Sequence, residues 1–314
     1  MSAPVEAVVI GRNEGVRLIA CLASLQGQVA RIIYVDSGST DGSCEAARAA
    51  GAEVVALDTG QPFTAARARN AGLARVEAEF VQFVDGDCTV APGWIAAALD
   101  HMHGDPACAV VCGRRRETHP EASVYNRLCD IEWDTPIGPA RACGGDALMR
   151  RAALEEVGGF AATLIAGEEP DLCLRLRAEG WSVFRLDAEM TRHDAAITRL
   201  SQWWRRARRA GHAYAEGAAR HGRTPERHWV RETRRALIWG AALPAFILLG
   251  GLAWPPLALA ALAYPAQAAR LAWRSGDPAW AFFTLLGKFP EAGGALRFYA
   301  GRLLRRGGGL IEYK

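Results

Sequence analysis

An apolar run, Phe80 to Val84, ends in Asp85-Gly86-Asp87-Cys88, which sets two carboxylates one glycine apart. Strand side chains alternate between faces, but a glycine at the strand end lets the backbone turn, so both carboxylates can open onto one polar crevice. Two acids so placed can share a divalent cation, Mg²⁺ or Mn²⁺, whose shell is typically completed by substrate phosphates. The same residues also suit a polar turn after a buried strand, where Asp and Gly are favoured. The surroundings decide between the two.

A second acid ends another apolar run, Ile32-Ile33-Tyr34-Val35-Asp36, and is followed by Ser37-Gly38-Ser39-Thr40-Asp41-Gly42. Thr40 or Asp41 can cap the helix that follows. A carboxylate at position 36 can accept hydrogen bonds from a ribose or a base; a tight strand-to-helix turn accounts for Gly38 and Gly42 but not for the acid. After the first apolar run stands Gly11-Arg12-Asn13-Glu14-Gly15 rather than GxGxxG, which weighs against a dinucleotide fold.

The elements that must hold these acids alternate in type. Val8 to Ile10, Ile32 to Val35, Val54 to Leu57 and Phe80 to Val84 read as strands; Val16 to Leu25, Ser43 to Ala50, Ala65 to Leu73 and Trp94 to Met102 carry helical periodicity. A βαβα series predicts an α/β fold with a mainly parallel sheet, helices on both faces, and ligands beyond the carboxyl ends of the strands.

The 314 residues suffice for one large domain with an appendage. A formal charge of +3 gives no argument for a nucleic-acid partner. Its distribution is more informative, because Arg199 to Arg235 is rich in arginine and directly precedes an apolar stretch, as on the cytoplasmic side of a membrane. The eight cysteines are scattered without a CxxC pair, so neither a zinc site nor a disulfide framework is expected, and they read as reduced cytosolic thiols. Met1 to Arg12 lacks a basic region followed by an apolar one, so no signal peptide is expected.

Together these motifs resemble the family 2 glycosyltransferases, enzymes of the GT-A (Rossmann-like) fold that use sugar nucleotides. The resemblance runs from about Val8 to His193. It rests on Asn13-Glu14, the Asp36 to Gly42 segment, Ala68-Arg69-Asn70-Ala71-Gly72, Asp85-Gly86-Asp87, Gly144-Gly145-Asp146, Arg150-Arg151, Val157-Gly158-Gly159-Phe160 and Gly167-Glu168-Glu169-Pro170-Asp171. It implies that Glu14 and Asp36 line the nucleoside pocket, that Arg69, Asn70 and Gly145 lie by the sugar nucleotide, that Asp85 is the ribose-side acid and a possible second metal ligand, and that Asp87 is the principal metal ligand. An exposed helix arginine is the plainer reading of Arg69.

Glu168-Glu169-Pro170-Asp171 resembles the family's Glu-Asp motif, which supplies the general base; Glu169 stands where Asp is usual, one methylene longer. Glu169 is the first candidate base, with Glu168 and Asp171 as runners-up, and Asp171 equally suits a helix start after Pro170. His193 occupies the place of a late metal or diphosphate ligand, although a lone histidine is more often a structural hydrogen-bonder. Arg205 and Arg206 are candidates to close over the diphosphate, while Trp203 and Trp204 suit a membrane-surface helix.

Ala236 to Ala269 contains no charged residue, and prolines 255 and 256 interrupt it. Two helices joined there, with basic flanks, fit an apolar hairpin that spans or re-enters the bilayer. The expected organisation is therefore a glycosyltransferase domain over 1–198, basic interfacial helices over 199–235, and a membrane-associated helical region over 236–314, with the hairpin at about 236–269 and amphipathic helices over 278–306. Two short spans are too few for a polysaccharide channel. The function expected is metal-dependent, inverting transfer of one sugar from a nucleotide diphosphate donor to a hydroxyl of a lipid-linked or membrane-proximal acceptor, at the cytoplasmic face of the membrane and in contact with its lipids. Nucleotidyl transfer is the rival enzyme class, and a non-catalytic membrane-binding scaffold the rival outside enzymes.

Overall fold

A computed structural model describes residues 5–304. Met1 to Pro4, in the segment expected to carry no leader, and Arg305 and Arg306, expected at the end of an amphipathic helix, lie outside the described residues. The chain forms two compact units: Met1–Leu164 with Glu168–Ala196, and Ile165–Gly167 with Ile197–Lys314.

The first unit opens with Val5–Gly11 (β1), Val16–Leu25 (α1), Arg31–Asp36 (β2), Ser43–Ala49 (α2), Glu53–Ala56 (β3), Ala65–Leu73 (α3) and Phe80–Asp85 (β4). Cys88–Val90 (β5), Trp94–Gly104 (α4), Cys108–Glu117 (β6), Val124–Trp133 (α5), Gly138–Pro139 (β7), Ala147–Arg150 (β8), Arg151–Glu156 (α6), Glu168–Ala178 (α7) and Ser182–His193 (β9) complete it. Among the described residues the sheet has nine strands in the order β3-β2-β1-β4-β8-β6-β9-β5, with β7 on β9. The parallel expectation holds for β3-β2-β1-β4 and again for β6 beside β9, whereas β8, β5 and β7 run antiparallel to their neighbours.

Every residue of β1 from Val5 to Ile10 is buried, as both-face coverage of a parallel strand requires. On α1, Leu18, Cys21, Leu22 and Leu25 recur at helical spacing and form one buried stripe. Thr64 caps α3 by accepting the Arg67 backbone N–H at 3.1 Å. That helix lies so close to the sheet that a Cβ on Gly72 would meet Val8 Cγ1 at 2.3 Å. None of the eight cysteines is in a disulfide.

The second unit is helical: Leu200–His221 (α8), Val230–Leu237 (α9), Leu243–Ala253 (α10), Ala263–Ser275 (α11), Pro278–Leu286 (α12) and Lys288–Leu303 (α13). A π-helical turn, Ile238–Ala242, joins α9 to α10 into one helix of 24 residues. Among the described residues it is the one helix long and apolar enough to cross a membrane, and its apolar stretch is almost wholly unburied. The second arm of the expected hairpin starts differently: Pro255–Leu262 is a 3₁₀ helix, and only from Ala263 does α11 follow. The Tyr264 hydroxyl donates to the Trp239 carbonyl at 2.6 Å, in the π turn, where the widened helix frees backbone acceptors. Trp203 is buried against Phe283 rather than free for an interface; Trp204 is exposed.

Candidate active site

Strand register carries the acids to one edge of the sheet. Gly11 pairs with Asp36, and Ile10 with Asp85, so the ends of β1, β2 and β4 lie side by side. Ala147 pairs with Phe83, which brings Asp146, just before β8, to the same edge. His193 ends β9 opposite both Cys88 and Glu117.

Arg69 is 2% exposed, which removes the exposed-helix reading. Its Nη2 donates to Asp85 Oδ1 at 2.7 Å and its Nη1 to Glu168 Oε1 at 2.6 Å. Burial works against its charge, but the Asp85 and Glu168 carboxylates outweigh it and raise its pKa above the ordinary value. Beneath this pair Asp146 is wholly buried: Oδ1 accepts the Asp85 backbone N–H at 2.9 Å, and Oδ2 accepts from Thr191 Oγ1 at 2.8 Å and lies 2.7 Å from Arg115 Nη2. Arg115 is likewise raised, Asp146 overcoming its burial. Gly145 sits where these groups converge. With φ at +58°, it has room for no Cβ: one would lie 3.0 Å from Asp85 Oδ2, 3.1 Å from Arg69 Nη2 and 3.2 Å from Arg115 Nη2.

Asp87 turns the other way. It is 6% exposed, and its Oδ2 lies 3.1 Å from His193 Nε2. The His193 ring packs on Trp133 with centroids 4.7 Å apart, and Trp133 is held by its carbonyl, which accepts from Arg185 at 3.0 Å. His193 Nδ1 is buried and has no hydrogen-bond partner among the described residues. Asp87, Cys88 and His193 form one group able to hold a metal ion. Burial, with Asp146 and Asp87 nearby, pushes the Cys88 thiol well up and keeps it protonated, so the hard oxygen and the imidazole are the better donors. Asp85 is not in that group, and one of its oxygens accepts from Arg69.

On the nucleoside side, Asp36 is 3% exposed and organises its own loop: Oδ1 accepts from Tyr34 Oη at 3.0 Å, and Oδ2 from the Gly38 and Ser39 N–H groups at 2.9 Å. The turn thus explains the acid as well as the glycines. Asn13 links the first loop to this one, its Oδ1 accepting from Thr40 N at 2.8 Å. Glu14 is buried and pairs with Arg17 at 2.6 Å. Asn70 uses both ends of its carboxamide on the Phe160 backbone, at 2.7 and 2.9 Å, and so holds the ring over which the Arg69 guanidinium lies.

The helix α7 begins at Glu168, earlier than a start at Asp171, because a proline within the first turn forfeits no hydrogen bond. Its three acids diverge. Glu168 faces Arg69, and its Oε2 has no hydrogen bond among the described residues. Glu169 turns inward, Oε1 accepting from the Cys143 N–H and from Cys173 Sγ at 3.1 Å. Asp171 pairs with Arg175 at 2.9 Å, and Arg175 in turn donates to the Val157 and Gly159 carbonyls. Arg205 and Arg206 lie on α8, Arg205 exposed and Arg206 half-buried. Sequence reasoning gave no part to Arg115 or Trp133, and counted Asp146 only within the Gly144-Gly145-Asp146 motif, without a role. Asp146 had a signal, its place directly after Gly144-Gly145, while the other two are ordinary residues whose neighbours come from distant strands.

Residues 7–158 match the profile described as glycosyl transferase family 2. The pre-mycofactocin glycosyltransferase of Mycobacterium tuberculosis is 31% identical over 260 residues, covering 78% of this chain and 52% of that protein. Glycosyltransferase AglE of Haloferax volcanii is 25% identical over 186 residues, 54% of this chain and 60% of that one. The chain therefore spans about half the length of the first of these relatives. Among solved structures, a mannosyltransferase from Pyrobaculum calidifontis in complex with GDP-Man and Mn²⁺ shares the fold, with a TM-score of 0.64 at 21% identity over 94% of this chain and 88% of that one.

Proposed function

This chain belongs to glycosyl transferase family 2, and on that premise we propose that it transfers a sugar, with inversion, from a nucleotide diphosphate donor to a hydroxyl of a lipid-linked or membrane-proximal acceptor. The observation that carries the reading is the meeting of Asp85, Arg69 and Glu168 beside Asp87 and His193 at one sheet edge.

The residues fit a divalent cation. Asp87 offers a hard oxygen beside the His193 imidazole, whose buried Nδ1 has no hydrogen-bond partner among the described residues. Mg²⁺ or Mn²⁺ held there by Asp87 and His193 supplies charge neutralisation for the leaving diphosphate; the Pyrobaculum enzyme of the same fold carries Mn²⁺ with its sugar nucleotide. Asp85 faces the ribose, Asp36 holds the Gly38-Ser39 loop that borders the nucleoside, Glu14 lines the same pocket, and Gly145, lacking a Cβ, lets Asp85, Arg69 and Arg115 converge beside the donor. Arg69 holds Asp85 and Glu168 in register. Asn70 acts one step back, by fixing Phe160.

Glu168 is the general base of this reading. Its Oε2 takes the proton of the acceptor hydroxyl as that oxygen attacks the anomeric carbon opposite the diphosphate, and a single displacement inverts the centre. Glu169, held by Cys143 and Cys173, supports α7 instead. The boundaries proposed are 1–198 for the catalytic domain, 199–235 for the basic helices and 236–314 for the membrane-associated region, with the catalytic domain on the cytoplasmic side. One helix with the length and composition of a span supports that attachment.

The test is a panel of sugar nucleotides with Mg²⁺ or Mn²⁺, following nucleoside diphosphate release with and without a membrane lipid extract. Release from one donor, dependent on the cation and raised by the extract, is expected. Pyrophosphate release would indicate nucleotidyl transfer instead, and no turnover or donor binding by folded protein would overturn the reading.

A further inference from the structure

The second unit holds a cavity of about 440 Å³ that the proposed sugar transfer does not use. It lies where α8 ends and the long apolar helix begins. Leu237, Ile238 and Ala242 give it an apolar wall, and Arg223, Thr233 and Arg234 line the remainder. The volume is that of an ordinary small-ligand site.

Its polar groups lack partners. Arg223 and Arg234 are exposed, and neither has a carboxylate or hydrogen-bond partner among the described residues. Thr233 is 5% exposed and its hydroxyl oxygen is closed off from the cavity, so it serves as wall and not as a polar contact. The helix that builds the apolar wall continues past the cavity with Phe246, Leu248, Leu249 and Leu252 all exposed. Such a surface suits a hydrocarbon surrounding.

We infer that this cavity binds a phosphate-bearing lipid, with its chain along Leu237, Ile238 and Ala242 and its phosphate between Arg223 and Arg234. Guanidinium groups match phosphate in both charge and geometry. A soluble phosphate would leave the apolar wall wet, and a neutral lipid would leave both arginines unmatched. The inference goes beyond sugar transfer and does not depend on it.

The test is calorimetric titration of the full chain in a neutral glycoside detergent with three dispersed probes: dihexanoyl phosphatidic acid, dihexanoylglycerol and inorganic phosphate. Phosphatidic acid is expected to bind saturably, and the other two at least about tenfold more weakly. Arg223→Gln with Arg234→Gln, both at exposed positions, is expected to weaken phosphatidic acid binding by about tenfold or more at an unchanged melting temperature. Ala242→Phe, which fills the cavity, is expected to remove binding; if it does not fold, the arginine pair decides alone. Unchanged binding by the arginine variant, equal binding of dihexanoylglycerol or inorganic phosphate, or no saturable binding by the folded parent chain would each overturn the inference. No sugar donor is present, so failure here is distinct from failure of the transferase reading.

Discussion

The Asp146 carboxylate accepts the backbone N–H of Asp85 at 2.9 Å, so a wholly buried acid ahead of one strand fixes the end of another. The same carboxylate is the counter-ion of Arg115 at 2.7 Å. Asp146→Ala strands that guanidinium in the interior and is expected to cost about 3–5 kcal/mol in urea unfolding. Arg115→Met added to it is expected to recover part of that loss, a coupling of about 0.5–3 kcal/mol in the double-mutant cycle.

Gly145→Ala sets a methyl group among Asp85, Arg69 and Arg115 at a positive φ. The strain is expected to cost about 1–3 kcal/mol of stability. Donor affinity, followed by calorimetry with the sugar nucleotide that turns over, is expected to fall at least about tenfold, because the methyl group displaces Asp85 and Arg69 from the positions that receive the donor.

These two residues also mark what a linear chain conveys. The strands and helices through Trp94 to Gly104 were legible because each buries a periodic set of side chains, and the Asp36, Asp85 and Asp87 positions because strand ends carry ligands. Arg69 was legible only by resemblance, since nothing in its neighbours tells a buried helix arginine from an exposed one. The antiparallel insertion of β8 between β4 and β6, which delivers Asp146, is a long-range pairing that local periodicity does not encode. The π turn at Ile238–Ala242 and the 3₁₀ start of the second arm escaped notice for a related reason: both keep the apolar composition of an α-helix and change only its hydrogen bonding.

The divergence of Glu168 and Glu169 separates their variants. Glu168→Gln removes the proposed base and is expected to lower kcat by about 10²–10⁴ with the fold retained. Glu169→Ala removes the buried acceptor of the Cys143 N–H and of Cys173 Sγ, so its expected effect is about 1–3 kcal/mol of stability with a smaller loss of kcat. The reverse ranking of kcat would move the base to Glu169.

Asp36 gives a pH signature. Burial opposes its ionisation, but hydrogen bonds from Ser39, Tyr34 and Gly38 outweigh it and hold the carboxyl below its ordinary value of 3.8. Because the folded pKa is depressed, the stabilisation is complete above the unfolded value and is lost as pH falls through the folded one. Asp36→Asn is expected to lower stability by about 1–3 kcal/mol at pH 7. That gap in urea midpoints is expected to persist down to about pH 4 and to narrow below it.

The most direct test of the central claim compares nucleoside diphosphate release by the parent chain and by Asp87→Ala at equal Mn²⁺ and sugar nucleotide. The Asp87 carboxylate beside His193 predicts a fall of at least about a hundredfold, with the fold intact by circular dichroism. Full sugar transfer by folded Asp87→Ala at the same Mn²⁺ would contradict it.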